Sequence, residues 1–339
     1  MSCNAKFLPV AVLIATIFLV FHSSLASAKT VKCHPEDRDV LLSIKRALNN
    51  PYLLASWNTT IDIDCCNWYC LECDPTTHRV YDLYFLTDGL PGKIPPEIGK
   101  LTYLRELTLH KLPNMTGPIP TSLLHLPYLN FLRIDWTGLA GPIPDFLGQL
   151  KNLTYLNLSY NKLTGPIPSS ISKIPNLGYV DLGRNRLTGT IPASLVSLKG
   201  NNLALKLSHN LLTGSIPESF WEIDFGQIEL SRNRLEGDLS MLFGKNKTTQ
   251  IMFFDRNSFE FDFSKLEIHS SLTSLDLSHN KVYGQIPEAM AGLELQYLNV
   301  SYNRLCGKIP VGGRLQSFDD TTYFHNRCLC GAPLNITCP

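Results

Sequence analysis

A curved α/β solenoid is the architecture this sequence predicts, on three observations. The stretch LNLSYNKLTGPIP, Leu156 to Pro168, is one copy of a pattern that recurs ten times with a period of 23–25 residues. Aligned on the first apolar position of L-x-x-L-x-L-x-x-N-x-L-x-G-x-I-P, the copies start at Val80, Leu104, Leu129, Leu153, Leu177, Asn202, Phe225, Thr249, Leu272 and Leu295. Within each copy, x-x-L-x-L-x-x alternates apolar and variable positions, the signature of a short strand with Leu inward and x outward. Apart from one near the start of the chain, the cysteines gather in two groups that flank the repeats. A period of this length with this motif marks leucine-rich repeats, units that cannot close a core alone and must stack. The expected molecule is a right-handed solenoid of about ten repeats over residues 80–310, with a concave parallel sheet and disulfide-stapled caps.

Length alone, 339 residues, suggests two globular domains. The repeats overrule it, because a solenoid adds layers around one continuous core. Residues 1–28 read as a secretory signal: Lys6, an apolar run from Phe7 to Phe21, then Ala26-Ser27-Ala28 as a cleavage site. No other stretch approaches the ~18–20 apolar residues that span a bilayer. The mature chain is therefore expected outside the cell. With Lys6 removed, 29 basic residues face 29 acidic ones, so overall charge points to no partner, nucleic acid included.

The first cap, residues 29–79, should open with a helix at Pro35-Glu36-Asp37, since Val40, Leu41, Ile44 and Leu48 share one face. Asn49-Asn50-Pro51 ends it. Trp57 and Trp68 should pack beneath. In the repeats, the Asn after each strand (Asn161, Asn185, Asn210, Asn233, Asn257, Asn280, Asn303) should turn inward to bond neighbouring backbone. Gly in L-x-G-x-I-P supplies an unusual backbone angle and Pro prevents a long helix. Runs such as Ser169 to Ile174 should return along the convex side as short helical turns. Two repeats depart from the pattern. The second has one residue more, from His110 to Gly117, and should bulge at the concave edge. The eighth replaces Gly-x-Ile-Pro with phenylalanines, from Phe253 to Phe263, which should repack the core. The second cap spans residues 311–339.

Leaving Cys3 in the leader, nine cysteines remain, and the odd count leaves one thiol without an obvious partner. A zinc site at Cys66-x3-Cys70-x2-Cys73 lacks a histidine at ligand spacing, and no metal or cofactor is expected. Sequons stand at Asn58, Asn114, Asn152, Asn157, Asn246, Asn299 and Asn335. Asn157 and Asn299 arise from the repeat's own L-x-L-S.

The L-x-G-x-I-P ending is the plant extracellular form of the repeat. The stretches Asp64 to Cys70, Asn299 to Gly307 and Tyr323 to Leu334 resemble polygalacturonase-inhibiting proteins of plant cell walls, over essentially the whole mature chain. The resemblance implies secretion to the apoplast and inhibition of fungal or insect endopolygalacturonases through the concave sheet. It also implies the pairs Cys33–Cys65, Cys66–Cys73, Cys306–Cys328 and Cys330–Cys338, with Cys70 as the odd thiol. A plant antifreeze protein resembles the same family, so likeness of fold does not by itself give function.

Two outward rows are candidates for binding. Just before the inward Asn, five repeats in succession carry Arg184, His209, Arg232, Arg256 and His279. At ~4.8 Å between strands, they form a cationic ladder suited to the carboxylates of polygalacturonan, or else a solubilising edge. One outward position nearer the strand centre lie Tyr84, Thr108, Arg133, Asn157, Asp181, Lys206, Glu229, Phe253, Asp276 and Asn299. Asp135, Trp136, Tyr155, Tyr160 and Tyr179 flank them. Aromatics with interspersed charge suit a protein partner, and Asp135 and Asp181 could meet a basic substrate cleft. A glycan at Asn157 or Asn299 would mask part of this face. No catalytic grouping or phosphate loop stands out, so an enzyme is the weakest class. A receptor-like ligand-binding module without a membrane anchor and an ice-binding protein are the alternatives to an inhibitor.

Overall fold

The computed structural model describes residues 32–86, 89–198 and 202–338. The leader expected over 1–28 lies outside them. Among the described residues no helix is long and apolar enough to cross a membrane.

The chain enters the fold through the helix Pro35–Ala47. Proline at its first position fixes φ where no N–H is needed, and Glu36 and Asp37 oppose the positive end of the helix dipole. Leu41, Ile44 and Leu48 are buried against the first repeats. Asp37 shares that buried side, which the apolar pattern did not reveal. It accepts bonds from Arg79 Nε at 2.9 Å, Arg79 Nη2 at 2.8 Å and Val80 N–H at 2.9 Å. This buried forked pair fixes the cap on the first strand of the repeats. Trp57 and Trp68 stack beneath at 6.1 Å, and their indole N–H groups donate to Tyr69 O and Asp62 O.

One sheet then runs the length of the concave side. Its first strand, Leu71–Cys73, comes from the cap and pairs antiparallel with Val80–Phe85, a deviation from the all-parallel expectation. Every later concave neighbour is parallel, from Glu106–Gly117 through Tyr297–Asn299. Inward Leu and Ile residues from all repeats join one core that continues from Cys33 to Leu334. Short second sheets line the flank beyond the Asn positions, for example Thr213–Ser215, Arg234–Gly237 and Ser258–Phe259. Sequence reading did not separate these from turns, because each contributes only a few residues per repeat.

The inward Asn residues behave as expected. Asn210 Nδ2 donates to Leu182 O in the preceding repeat and Leu207 O in its own, both at 3.0 Å, while its Oδ1 accepts from Leu187 N–H. The same bonds recur at Asn233 and Asn303, and Asn326 extends the pattern into the second cap. That cap is therefore built on the repeat's own backbone bonding, with Val300, Tyr302 and Asn303 N–H groups donating to Thr322, Phe324 and His325 carbonyls. Gly165 and Gly189 take φ of 78° and 77°, the left-handed region where a side chain is strained.

The convex returns are 3-10 turns such as Ser169–Lys173, entered from Pro168. Where Ile-Pro is absent, at Leu239 and Asp262, the turn shrinks from five residues to three. Phe254, Phe259, Phe261 and Phe263 are all buried, so the eighth repeat fills its interior with rings. In the second repeat the extra residue slips the register between Leu112 and Thr116, within the long strand Glu106–Gly117.

The disulfides Cys33–Cys65, Cys66–Cys73, Cys306–Cys328 and Cys330–Cys338 are present. The Cys66–Cys73 bond removes two thiols from the zinc alternative. Cys70, expected as the odd thiol, is fully buried and is not free.

Candidate functional site

The strand-centre row is in register along the sheet, Tyr84 beside Thr108, Arg133, Asn157, Asp181 and Lys206 in turn. It continues through Glu229, Phe253, Asp276 and Asn299. The period alone placed all ten correctly. Their availability is another matter. Asp135 is 3 % exposed and spent within the fold. Arg133 forks onto it at 2.9 and 3.0 Å, and His110 Nδ1 lies 2.8 Å away. It cannot reach a basic cleft as the sequence suggested, because its partners come from its own and the preceding repeat. Asp276 is buried, accepting from Tyr297 OH at 2.9 Å and Ser278 N–H at 2.9 Å, and burial raises its pKa. Lys206 pairs with Glu229 at 3.2 Å, and Gln227 Nε2 also donates to Glu229. Asp181 is half-buried, its carboxyl raised mainly by burial while Gly183 N–H donates to it.

Aromatic stacks run across the strands. Phe131, Tyr155 and Tyr179 stack at 4.2 and 4.3 Å. Phe131 shares the register position of Tyr155 and Tyr179 but was not among the residues named from the sequence. Trp136, 46 % exposed, stacks on Tyr160 at 3.7 Å, and the Arg184 guanidinium sits 5.0 Å over the same ring.

The ladder does not lie on strands as expected. Arg184, His209, Arg232, Arg256 and His279 occupy the bend that follows, with φ of 52–59°. Lys111, Trp136, Tyr160, Tyr302 and His325 share that conformation, so this edge row runs nearly the whole solenoid. A non-glycine residue in the left-handed region is strained, and the next repeat holds it there. Arg184 N–H donates to Ser208 O at 2.7 Å, His209 to Ser231 O at 2.8 Å and Arg232 to Asp255 O at 2.8 Å. The three arginines are exposed, although Arg232 Nε lies 4.0 Å from Asp255. Burial, then neighbouring arginines, lowers the pKa of His209 and His279. The ladder is therefore three guanidiniums, with His209 between Arg184 and Arg232 and His279 beyond Arg256, both imidazoles harder to protonate than a free one. Toward the second cap it becomes a ring stack, His279 on Tyr302 at 4.1 Å and Tyr302 on His325 at 4.2 Å.

At the opposite end, Glu72, Asp82 and Glu106 sit in register on adjacent strands. Burial, then Glu106 and Glu72, pushes the Asp82 carboxyl up to about 7. The repeat pattern gave no sign of this, since the first of the three comes from the cap. Of the sequons, Asn114, Asn152, Asn246 and Asn335 are exposed, and Asn58 and Asn299 are half-buried. Asn157 is buried, its Oδ1 accepting from Ser159 N–H and Oγ.

A leucine-rich repeat N-terminal domain matches residues 34–74, and leucine-rich repeat models match 143–187, 204–223, 271–293 and 294–313. Fold, caps and matches define a leucine-rich repeat protein of the plant type. The chain is 60 % identical over 303 residues to a polygalacturonase inhibitor of Vitis vinifera, covering 89 % of this chain and 90 % of that one. It is 57 % identical over 319 residues to a polygalacturonase inhibitor of Pyrus communis, covering 94 % and 96 %. A crystal structure of a plant ice-binding protein superposes with a TM-score of 0.88 at 46 % identity, over 91 % of this chain and 99 % of that one. The chain belongs to the polygalacturonase-inhibitor family.

Proposed function

We propose that this protein is a secreted inhibitor of fungal or insect endopolygalacturonases that acts in the plant cell wall and engages them through its concave face. One observation carries the reading: outward rows from ten repeats stand in strict register on an uncovered sheet, with stacked aromatics beside charged residues. Such a surface suits a macromolecule better than a small substrate. The contact centres on Trp136, Tyr155, Tyr160, Tyr179, Asp181, Lys206, Glu229 and Phe253, with Arg133 and Asp276 as supporting residues. Buried area of standard size would be about 800 Å² per partner. The exposed guanidiniums of Arg184, Arg232 and Arg256, with His209 between the first two and His279 beyond the last, add a dock for polygalacturonan. Relatives at 57–60 % identity bear the inhibitor name, against 46 % for the ice-binding structure, which favours inhibition over ice binding.

The test mixes the secreted protein with a panel of fungal and insect endopolygalacturonases and follows reducing-sugar release. Slowing of at least one enzyme is expected. No effect on any, with thermal hysteresis in the same sample, would replace inhibition by ice binding.

A further inference from the structure

Neither outward row accounts for what lies between them. Ser159, Gly183, Ser208 and Ser231 occupy this position in consecutive repeats, and their small side chains leave a trough of about 340 Å³ across the strands. In the fourth, fifth and ninth repeats the strand-centre side chain caps the N–H two residues on: Asn157 caps Ser159, Asp181 caps Gly183 and Asp276 caps Ser278. In the sixth and seventh repeats Lys206 and Glu229 stand there instead. Lysine cannot accept, and Glu229 is engaged by Lys206 and Gln227. Among the described residues the Ser208 and Ser231 hydroxyls have no hydrogen-bond partner, although Ser231 is only 6 % exposed. Unmatched polar groups at a buried place cost stability, so a ligand bringing acceptors recovers it.

Charge points the same way. Lys206 is paired and Arg232 approaches Asp255, whereas Arg184, at one end of the trough, makes no ion pair among the described residues. We propose that the trough seats an extended loop of the polygalacturonase, with main-chain carbonyl oxygens over Ser208 and Ser231 and one carboxylate against Arg184. The proposal rests on the inhibitor reading above and names the element that enters. A loop fits better than the polymer. Asp181, Glu229 and Asp255 also line the trough, and a chain with a carboxylate on every sugar would meet like charge at successive repeats.

The paired substitution Ser208→Ala with Ser231→Ala deletes both donors and keeps the shape, and Ser231→Leu fills the floor. Each is compared with the wild type for inhibition of an endopolygalacturonase that the wild type slows, and for retention on immobilised polygalacturonate. The inhibition constant should rise roughly tenfold in the alanine pair, two lost hydrogen bonds, and further in the leucine variant, with retention unchanged. If the leucine variant misfolds, the alanine pair decides. Unchanged inhibition overturns the proposal, and so does lost retention with inhibition intact, which would put the polymer in the trough. A wild type that slows no enzyme is a different result and defeats the inhibitor reading itself.

Discussion

The strand-centre row and the edge row lie three residues apart in every repeat, yet they use their charges in opposite ways. At the strand centre, side chains are largely satisfied by nearby groups: Arg133 by Asp135 two residues on, Lys206 by Glu229 across the ~4.8 Å between strands, and Asp276 by Tyr297 of the next strand. At the edge, the backbone bends into the left-handed region and turns Arg184 and Arg256 toward solvent. The first row therefore contributes mostly to holding the sheet together and the second mostly to what the sheet can hold. A charged residue in an outward position is not automatically a binding residue.

The largest effect that could break this contrast is at Asp135. Asp135→Ala strands Arg133 and His110, and a buried carboxylate removed from its partners costs roughly 3 kcal/mol. Urea denaturation should show that loss; an unchanged midpoint would return Asp135 to the pool of free surface charge. Next comes Arg184→Ala combined with Arg232→Ala. The variant should then elute from polygalacturonate at markedly lower salt, because two guanidinium–carboxylate contacts are lost from an electrostatic dock. Stability should stay within about 0.5 kcal/mol, as for surface substitutions generally. A large drop in stability would erase the distinction between the rows.

A smaller effect concerns the two histidines of the ladder. Burial, then the neighbouring arginines, lowers both pKa values, so each imidazole gains its charge only as pH falls further than a free one requires. Retention on polygalacturonate should rise between pH 7 and pH 5, by roughly two- to threefold for weak added charges at a screened surface. Fold stability should move the other way, being present above the unfolded value and lost as pH drops through the folded one. His209→Gln with His279→Gln should flatten the retention profile, and a profile that keeps its slope would place the titrating group elsewhere. Smallest is Asp82→Asn. The wild-type carboxyl titrates near 7 in the fold against 3.8 unfolded, so its ionisation penalty grows as pH rises through that window. The variant should be more stable than wild type by about 1 kcal/mol at pH 8, discounted for partial exposure, and equal to it near pH 4. Equal stabilities at pH 8 would mean that solvent screens the Glu72–Asp82–Glu106 group fully.

Periodicity made much of this legible. It fixed the inward leucines, the Asn bonding, the register of Tyr84 through Asn299 and the burial of the eighth repeat's phenylalanines. What escaped it depended on partners distant in the chain or on backbone angle. Asp37 finds Arg79 across 42 positions, and no local pattern marks that pair. Asp135 looked free because its second partner, His110, stands one repeat earlier. The ladder was assigned to strands because side-chain alternation carries no record of φ. The trough escaped notice because it is made of what Ser208 and Ser231 do not fill.

The bend at the edge row is held by main-chain hydrogen bonds to the next repeat, which do not depend on which side chain stands there. Lys111, Trp136, Arg184, His209 and Tyr302 have little in common chemically, yet one backbone state accepts them all. Provided β-branched residues stay out of it, a lineage can rewrite this rim one substitution at a time. The scaffold then offers a changing adversary a changing border while its interior stays as it was.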